Sequence, residues 1–157
     1  MGKSRVPIPS QYELQVVRLK NTVFGRVSRY HGDFAHAADC LTLCIKAVST
    51  ESSRYHHKHH LADVLCELQR SRDAENLSKC DTEDLRIHGK QRSKAFRRLL
   101  LPRTEACIQQ HKFEDAWSTL RQLDETFGSL DFLDVSDQLG HVRSIFGLVR
   151  RKCKGAI

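Results

Sequence analysis

A chain of 157 residues with 39% hydrophobic and 29% charged side chains, three prolines and eight glycines has the composition of a single folded helical domain, which excludes a disordered or low-complexity polymer. No window approaches the roughly 18 successive apolar residues of a membrane span, and Met1 to Ser10 lacks the apolar centre of a secretory signal. The net charge of +7 makes nucleic acid or an acidic partner worth weighing.

In chain order, a leader over 1–10 with Pro7 and Pro9 reads as extended, followed by one helical domain over 11–152 and a tail over 153–157. Tyr12, Val16, Leu19, Val23 and Val27 recur at three- to four-residue spacing up to a break at Gly32-Asp33, which predicts the first helix. Phe34, Ala37, Ala38, Leu41, Ile45 and Val48 continue that period to Ser49-Thr50, and so short a connection makes the two helices antiparallel. Tyr55, Leu61, Leu65 and Leu68 predict a third helix. Ala74, Leu77 and Leu85 predict a fourth after the polar break at Gln69–Arg72.

A third pair follows Gly89: Phe96, Leu99, Leu100 and Ile108, a turn near His111-Lys112, then Phe113, Ala116, Trp117, Leu120 and Leu123. Pro102 inside this pair predicts a kink or a late helix start. A closing helix is expected over 135–152, with Leu139, Val142, Ile145, Phe146 and Val149 on its apolar side and His141 as an interface residue. No stretch alternates as a strand does, so the fold class expected is all-α.

The three pairs align on Ala37, Ala74 and Ala116, each placed just after a turn where two helices cross closely. The separations of 37 and 42 residues give an internal period. Phe24-Gly25, Gly32-Asp33-Phe34, Ala37 and Leu41 form the fullest unit. Leu61-Ala62, Leu65 and Ala74 repeat parts of it, as do Phe113, Ala116 and Leu120. These residues resemble the tetratricopeptide-repeat family over about 18–130, with repeats near 18–51, 55–88 and 97–130; the turn glycine and aromatic are missing from the second and the closing proline from all three. The stretches 60–77 and 94–123 are also similar to repeat blocks at the ends of large fungal signalling proteins.

The resemblance implies antiparallel helix pairs stacked as a short right-handed solenoid with the 135–152 helix as its cap, open to being part of a larger array. It also implies a concave groove lined by the first helix of each pair: Thr22, Arg26 and Arg29, then His56, His59 and Asp63, then Arg98, Leu101 and Glu105. Thr22 and Arg26 stand where relatives that clamp a chaperone's terminal carboxylate carry lysine and asparagine, which argues against that ligand.

For chemistry, Tyr55-His56-His57-Lys58-His59-His60 holds four of the nine histidines. His56 lies one helical turn from both His59 and His60, a spacing that suits two imidazoles on one metal ion, and Asp63, four beyond His59, completes His56, His59 and Asp63 as the best set. The plainer reading is an exposed, partly protonated helix start with no metal. The glutamate of a metalloprotease helix, a phosphate loop and a nucleophile elbow are all missing. Six cysteines (40, 44, 66, 80, 107 and 153) without a C-x-x-C pair read as reduced thiols, with Cys40 and Cys44 packing on one helix face. Met1-Gly2-Lys3-Ser4 has Val6 in place of the myristoylation hydroxyl, and Cys153 sits one position too far from the end for prenylation.

The expected function is therefore a non-catalytic, cofactor-free interaction module. It would bind a protein or acidic peptide segment in its groove inside the cell, in the cytoplasm or alternatively the nucleus, without membrane association. The alternative is a basic helical protein that associates with nucleic acid through Arg97, Arg98, Arg150, Arg151 and Lys152, although no aromatics are interleaved there for base stacking. A metal-dependent enzyme centred on His56 and His59 is the third reading.

Overall fold

The computed structural model describes residues 10–127, and these form six α-helices: α1 (Gln11–Tyr30), α2 (Phe34–Ala47), α3 (Glu51–Glu67), α4 (Ser71–Ile87), α5 (Lys94–Gln109) and α6 (Phe113–Phe127). The leader up to residue 9, the end of the third repeat, the closing helix over 135–152 with His141, and the tail all lie outside the described residues. Among those described there is no strand, and no helix is long and apolar enough to cross a membrane.

Local chemistry sets the helix starts. Ser10 and Glu13 form a reciprocal capping box at α1, while the side chains of Asp33, Thr50 and Ser93 accept from the backbone N–H three residues on at α2, α3 and α5. One turn recurs inside every pair. The N–H groups of Asp33, Arg70 and Lys112 reach back to the carbonyls of Ser28, Leu65 and Cys107, each at 2.8 Å, across a left-handed residue: Gly32, Gln69 or His111. These three turns are spaced as Ala37, Ala74 and Ala116 are, and all three alanines are completely buried. The same turn, with Gly89 in the left-handed position, closes α4.

Glutamine and histidine at φ of 59° and 60° pay a steric cost that glycine escapes. Gln69→Gly should therefore raise stability by about 0.5–1 kcal/mol, net of the extra freedom that glycine gives the unfolded chain. A urea midpoint unchanged or lowered in the variant would show that the Gln69 side chain offsets the strain by contacts of its own.

Consecutive helices pack on one another, and α3 also packs on α5. The core follows that order. Ala37, Ala38, Leu41 and Val64 join α2 to α3; Leu65, Cys66, Ala74 and Ala106 join α3, α4 and α5. Tyr55, Leu85, Phe96, Leu99, Leu100, Cys107, Ala116, Leu120 and Leu123 fill the largest cluster. Between α3 and α4 lies a nearly dry ion pair, Lys58 Nζ to Asp81 Oδ1 at 2.7 Å, and beside it the Tyr55 hydroxyl donates to Asp84 at 2.6 Å.

One expectation needs correcting, and one helix turns a face that periodicity leaves open. Helix α5 begins eight residues before Pro102 and runs on beyond it, so the late start is not seen; the proline is fully buried and its carbonyl accepts from the Cys66 thiol at 3.6 Å. The α1 periodicity marks a helix, but its apolar stripe faces outward: Tyr12, Val16, Leu19, Val23 and Val27 are all exposed. The face turned to α2 carries Gly25 and Ser28 instead, because a Cβ at position 25 would already stand 3.4 Å from that of Cys40 and a larger group would force the helices apart.

Candidate functional site

Between α1, α2 and α3 lies a partly open cavity of about 80 Å³. Thr22, Gly25, Arg26 and Arg29 line it from α1, Leu41 from α2, and His56, His57 and His60 from α3. Spacing on α1 explains its side: 22, 25, 26 and 29 lie three or four apart and so point the same way. Helix α5 closes the arrangement through Arg98, whose Nη1 is 3.5 Å from Nδ1 of His56; Arg29 Nη1 stands likewise 3.5 Å from Nδ1 of His60 and its Nη2 3.9 Å from Asp63.

Five of the nine residues expected in a groove (Thr22, Arg26, Arg29, His56 and Arg98) thus come together here. Asp63 joins the rim by pairing with Arg29. His59 is tucked behind the rim, 4% exposed. Leu101 is drawn into the largest core cluster, and Glu105, further along α5, is absent from the cavity wall. His57 and His60 were not among the expected residues, although His60 lies one helical turn beyond His56; Gly25 and Leu41 were read only as packing residues.

The histidines are not the exposed, partly charged helix start expected from sequence. Burial lowers the proton affinity of His59 to about 3 and of His60 to about 4, and neighbouring imidazoles with Arg98 and Arg29 push in the same direction. Burial likewise lowers His56 and His57, helped at His56 by Arg98 and Arg26. His59 Nδ1 is buried without a well-aligned hydrogen bond, although the Tyr55 backbone exerts a weak upward pull on its basicity. At neutral pH the four rings are uncharged, so the positive field of the site comes from its arginines.

His56, His59 and His60, rather than His56, His59 and Asp63, present ring nitrogens within 4.8 Å of one another. Asp63 is drawn off by Arg29. Guanidinium groups face the Nδ1 atoms of two of these three rings, which opposes a divalent cation and favours an anion. A carboxylate or phosphate entering beside Arg26 and Arg29 would meet charged donors while the apolar wall of Leu41 and Gly25 lies behind it.

Three buried thiols, those of Cys40, Cys66 and Cys107, are held away from the thiolate form. Cys40 Sγ is 3.6 Å from His36 Nε2, but burial first, then Cys44, Asp39 and Asp33, push that thiol up, the reverse of activation. Burial does the same to Cys66 and carries Cys107 to about 11. All five cysteines of the described residues are free.

Comparison of the chain with family models, with curated proteins and with solved structures gives no match.

Proposed function

We propose that the protein is a non-catalytic adaptor, built as a tetratricopeptide-like right-handed stack of helix pairs, that holds an acidic segment of another protein against the α1–α3–α5 face. The observation that carries this reading is that Arg26 and Arg29 of the first pair line one cavity while Arg98 of the third stands 3.5 Å from His56 in its wall. Each guanidinium brings a planar fork of donors, and several around one pocket select carboxylate or phosphate groups far better than scattered surface charges do. The turn recurring in register with Ala37, Ala74 and Ala116 supports the stacked arrangement. The free thiols among the described residues fit the intracellular setting of this reading.

A fluorescent peptide rich in glutamate and aspartate is the direct probe. Arg26→Glu with Arg98→Glu should weaken its binding at least tenfold at unchanged helicity, whereas Arg150→Glu with Arg151→Glu should change it less than twofold. Loss of binding in the second variant with retention in the first would remove the groove and leave a basic tail as the binding element. Tighter binding of a single-stranded oligonucleotide than of the peptide, falling steeply with salt and indifferent to sequence, would establish the nucleic-acid alternative instead.

A further inference from the structure

Helix α1 is amphipathic the wrong way round. Its inward side carries Gly25 and Ser28 with half-buried Leu14, Arg18, Asn21 and Thr22, and its outward side carries Tyr12, Val16, Leu19, Val23, Val27 and Tyr30. The outer six are 76%, 45%, 54%, 59%, 49% and 88% exposed, a continuous stripe rather than scattered apolar residues. The 20 residues of α1 make it about 30 Å long. Its two tyrosines alone leave roughly 300 Å² of surface. With the four aliphatic residues between them the stripe approaches the roughly 800 Å² a side that stable interfaces bury, above the largest patch of an ordinary monomer.

The stripe is also close to a palindrome. From either end it reads tyrosine, valine, then the Leu19 and Val23 centre, so an antiparallel copy rotated about a point near residue 21 sets Tyr12 against Tyr30, Val16 against Val27 and Leu19 against Val23. A two-fold interface demands such self-complementarity, since each surface must meet itself. Charge selects the direction: an antiparallel pair lays the Arg26 and Arg29 end of one helix beside the Glu13 end of the other and opposes the helix dipoles, whereas a parallel pair stacks like charges along its length.

We propose that a second copy of this chain covers the α1 stripe, giving an antiparallel two-fold dimer centred on Leu19 and Val23. The two cavities lie on the flank of α1 beside this interface and remain open, so the dimer presents two anion-binding grooves.

Sedimentation equilibrium of the full chain at micromolar concentration should give twice the chain mass. Leu19→Glu with Val23→Glu should return the monomer, a weakening of at least a hundredfold, without loss of helicity. Should that variant fail to fold, Tyr12→Lys with Tyr30→Lys tests the same surface where both side chains already lie in solvent. Mixing Tyr12→Cys protein with Tyr30→Cys protein, both in a Cys80→Ser background, should yield an oxidised cross-link mapped by mass spectrometry between positions 12 and 30 of different copies; a link between two copies of position 12 would overturn the antiparallel arrangement. A monomeric parent overturns the proposal, and if Ile145→Glu with Phe146→Glu then makes the monomer self-associate, the occupant is the 135–152 segment of the same chain.

Discussion

Replacing Lys58 with methionine should cost about 3–5 kcal/mol, because it takes the hydrogen-bonded counterion from the buried Asp81 carboxylate and leaves only the weaker pull of Arg54. Asp81 is 6% exposed, its Oδ1 receives Lys58 at 2.7 Å and its Oδ2 has no partner. Burial raises its proton affinity, and the lysine already works against that. Without Lys58 the acid would take up a proton on folding, so the penalty should shrink at lower pH. Lys58→Met combined with Asp81→Leu should recover most or all of the loss, since two apolar groups fill the space without desolvating charge. Urea unfolding of the two single variants and the double variant measures the coupling directly. Equal losses in the Lys58 single and the double variant would mean that Lys58 acts through a contact other than Asp81, such as that of its ammonium 5.8 Å from the centre of the Tyr55 ring.

Lowering the pH from 7 to 5 should remove about 4 kcal/mol of stability through His59 and His60. In the folded chain these rings titrate at about 3 and about 4, against about 6.5 in an unfolded one. The unfolded state therefore binds more protons throughout the interval between those values. Stability is complete above about 6.5 and falls as the pH drops towards 4. The groups facing the two rings are all neutral or positive apart from Asp63 beside Arg29: His56 and His57 on α3, Arg29 on α1 and Arg98 on α5, so none offers an imidazolium an unclaimed carboxylate. Denaturant midpoints at pH 7.5, 6 and 5 test this, with His59→Gln and His60→Gln each expected to flatten the slope. A parent curve level between pH 7 and 5 would mean that the rings charge in place, at the expense of the packing around them.

Much of the fold could be read from the order of the residues, because the within-pair turns put local signals at fixed offsets. Gly32 and Gly89 supply the left-handed residue outright, and the three alanines mark where helices must approach. Gln69 and His111 occupy the same conformation without advertising it, since the backbone hydrogen bonds of the turn hold them where side-chain preference would not. The face of α1 was not legible. Periodicity finds a stripe but is silent on whether the stripe meets the core or another molecule, and here the small residues at 25 and 28 took the inward side. Helix α3 posed the opposite difficulty: α2, α4 and α5 pack on it, so its buried residues run around the helix and include His57 and His59. That enclosure separates observed histidines with lowered proton affinity from the charged, exposed ones expected of such a polar run. Arg26, Arg29 and Arg98 were set in one groove by the family resemblance, whereas the parts of Asp63 and His60 depend on Arg29, which stands 3.9 Å from the one and 3.5 Å from the other.

The unequal separations of 37 and 42 residues have a simple anatomy. The turn within a pair is the same three times, so the five extra residues fall elsewhere: α4 is three longer than α2, the α4–α5 connection is three longer than the α2–α3 connection, and α5 is one shorter than α3. The chain thus divides into stiff joints and elastic ones. The joint that folds a helix back on its partner tolerates neither insertion nor deletion, since a shift there would carry an alanine away from its crossing point. The joint that passes from one pair to the next takes up differences in length, and it is there that lineages of this protein could gain or lose residues, or splice in a further pair, while each hairpin keeps its own packing intact.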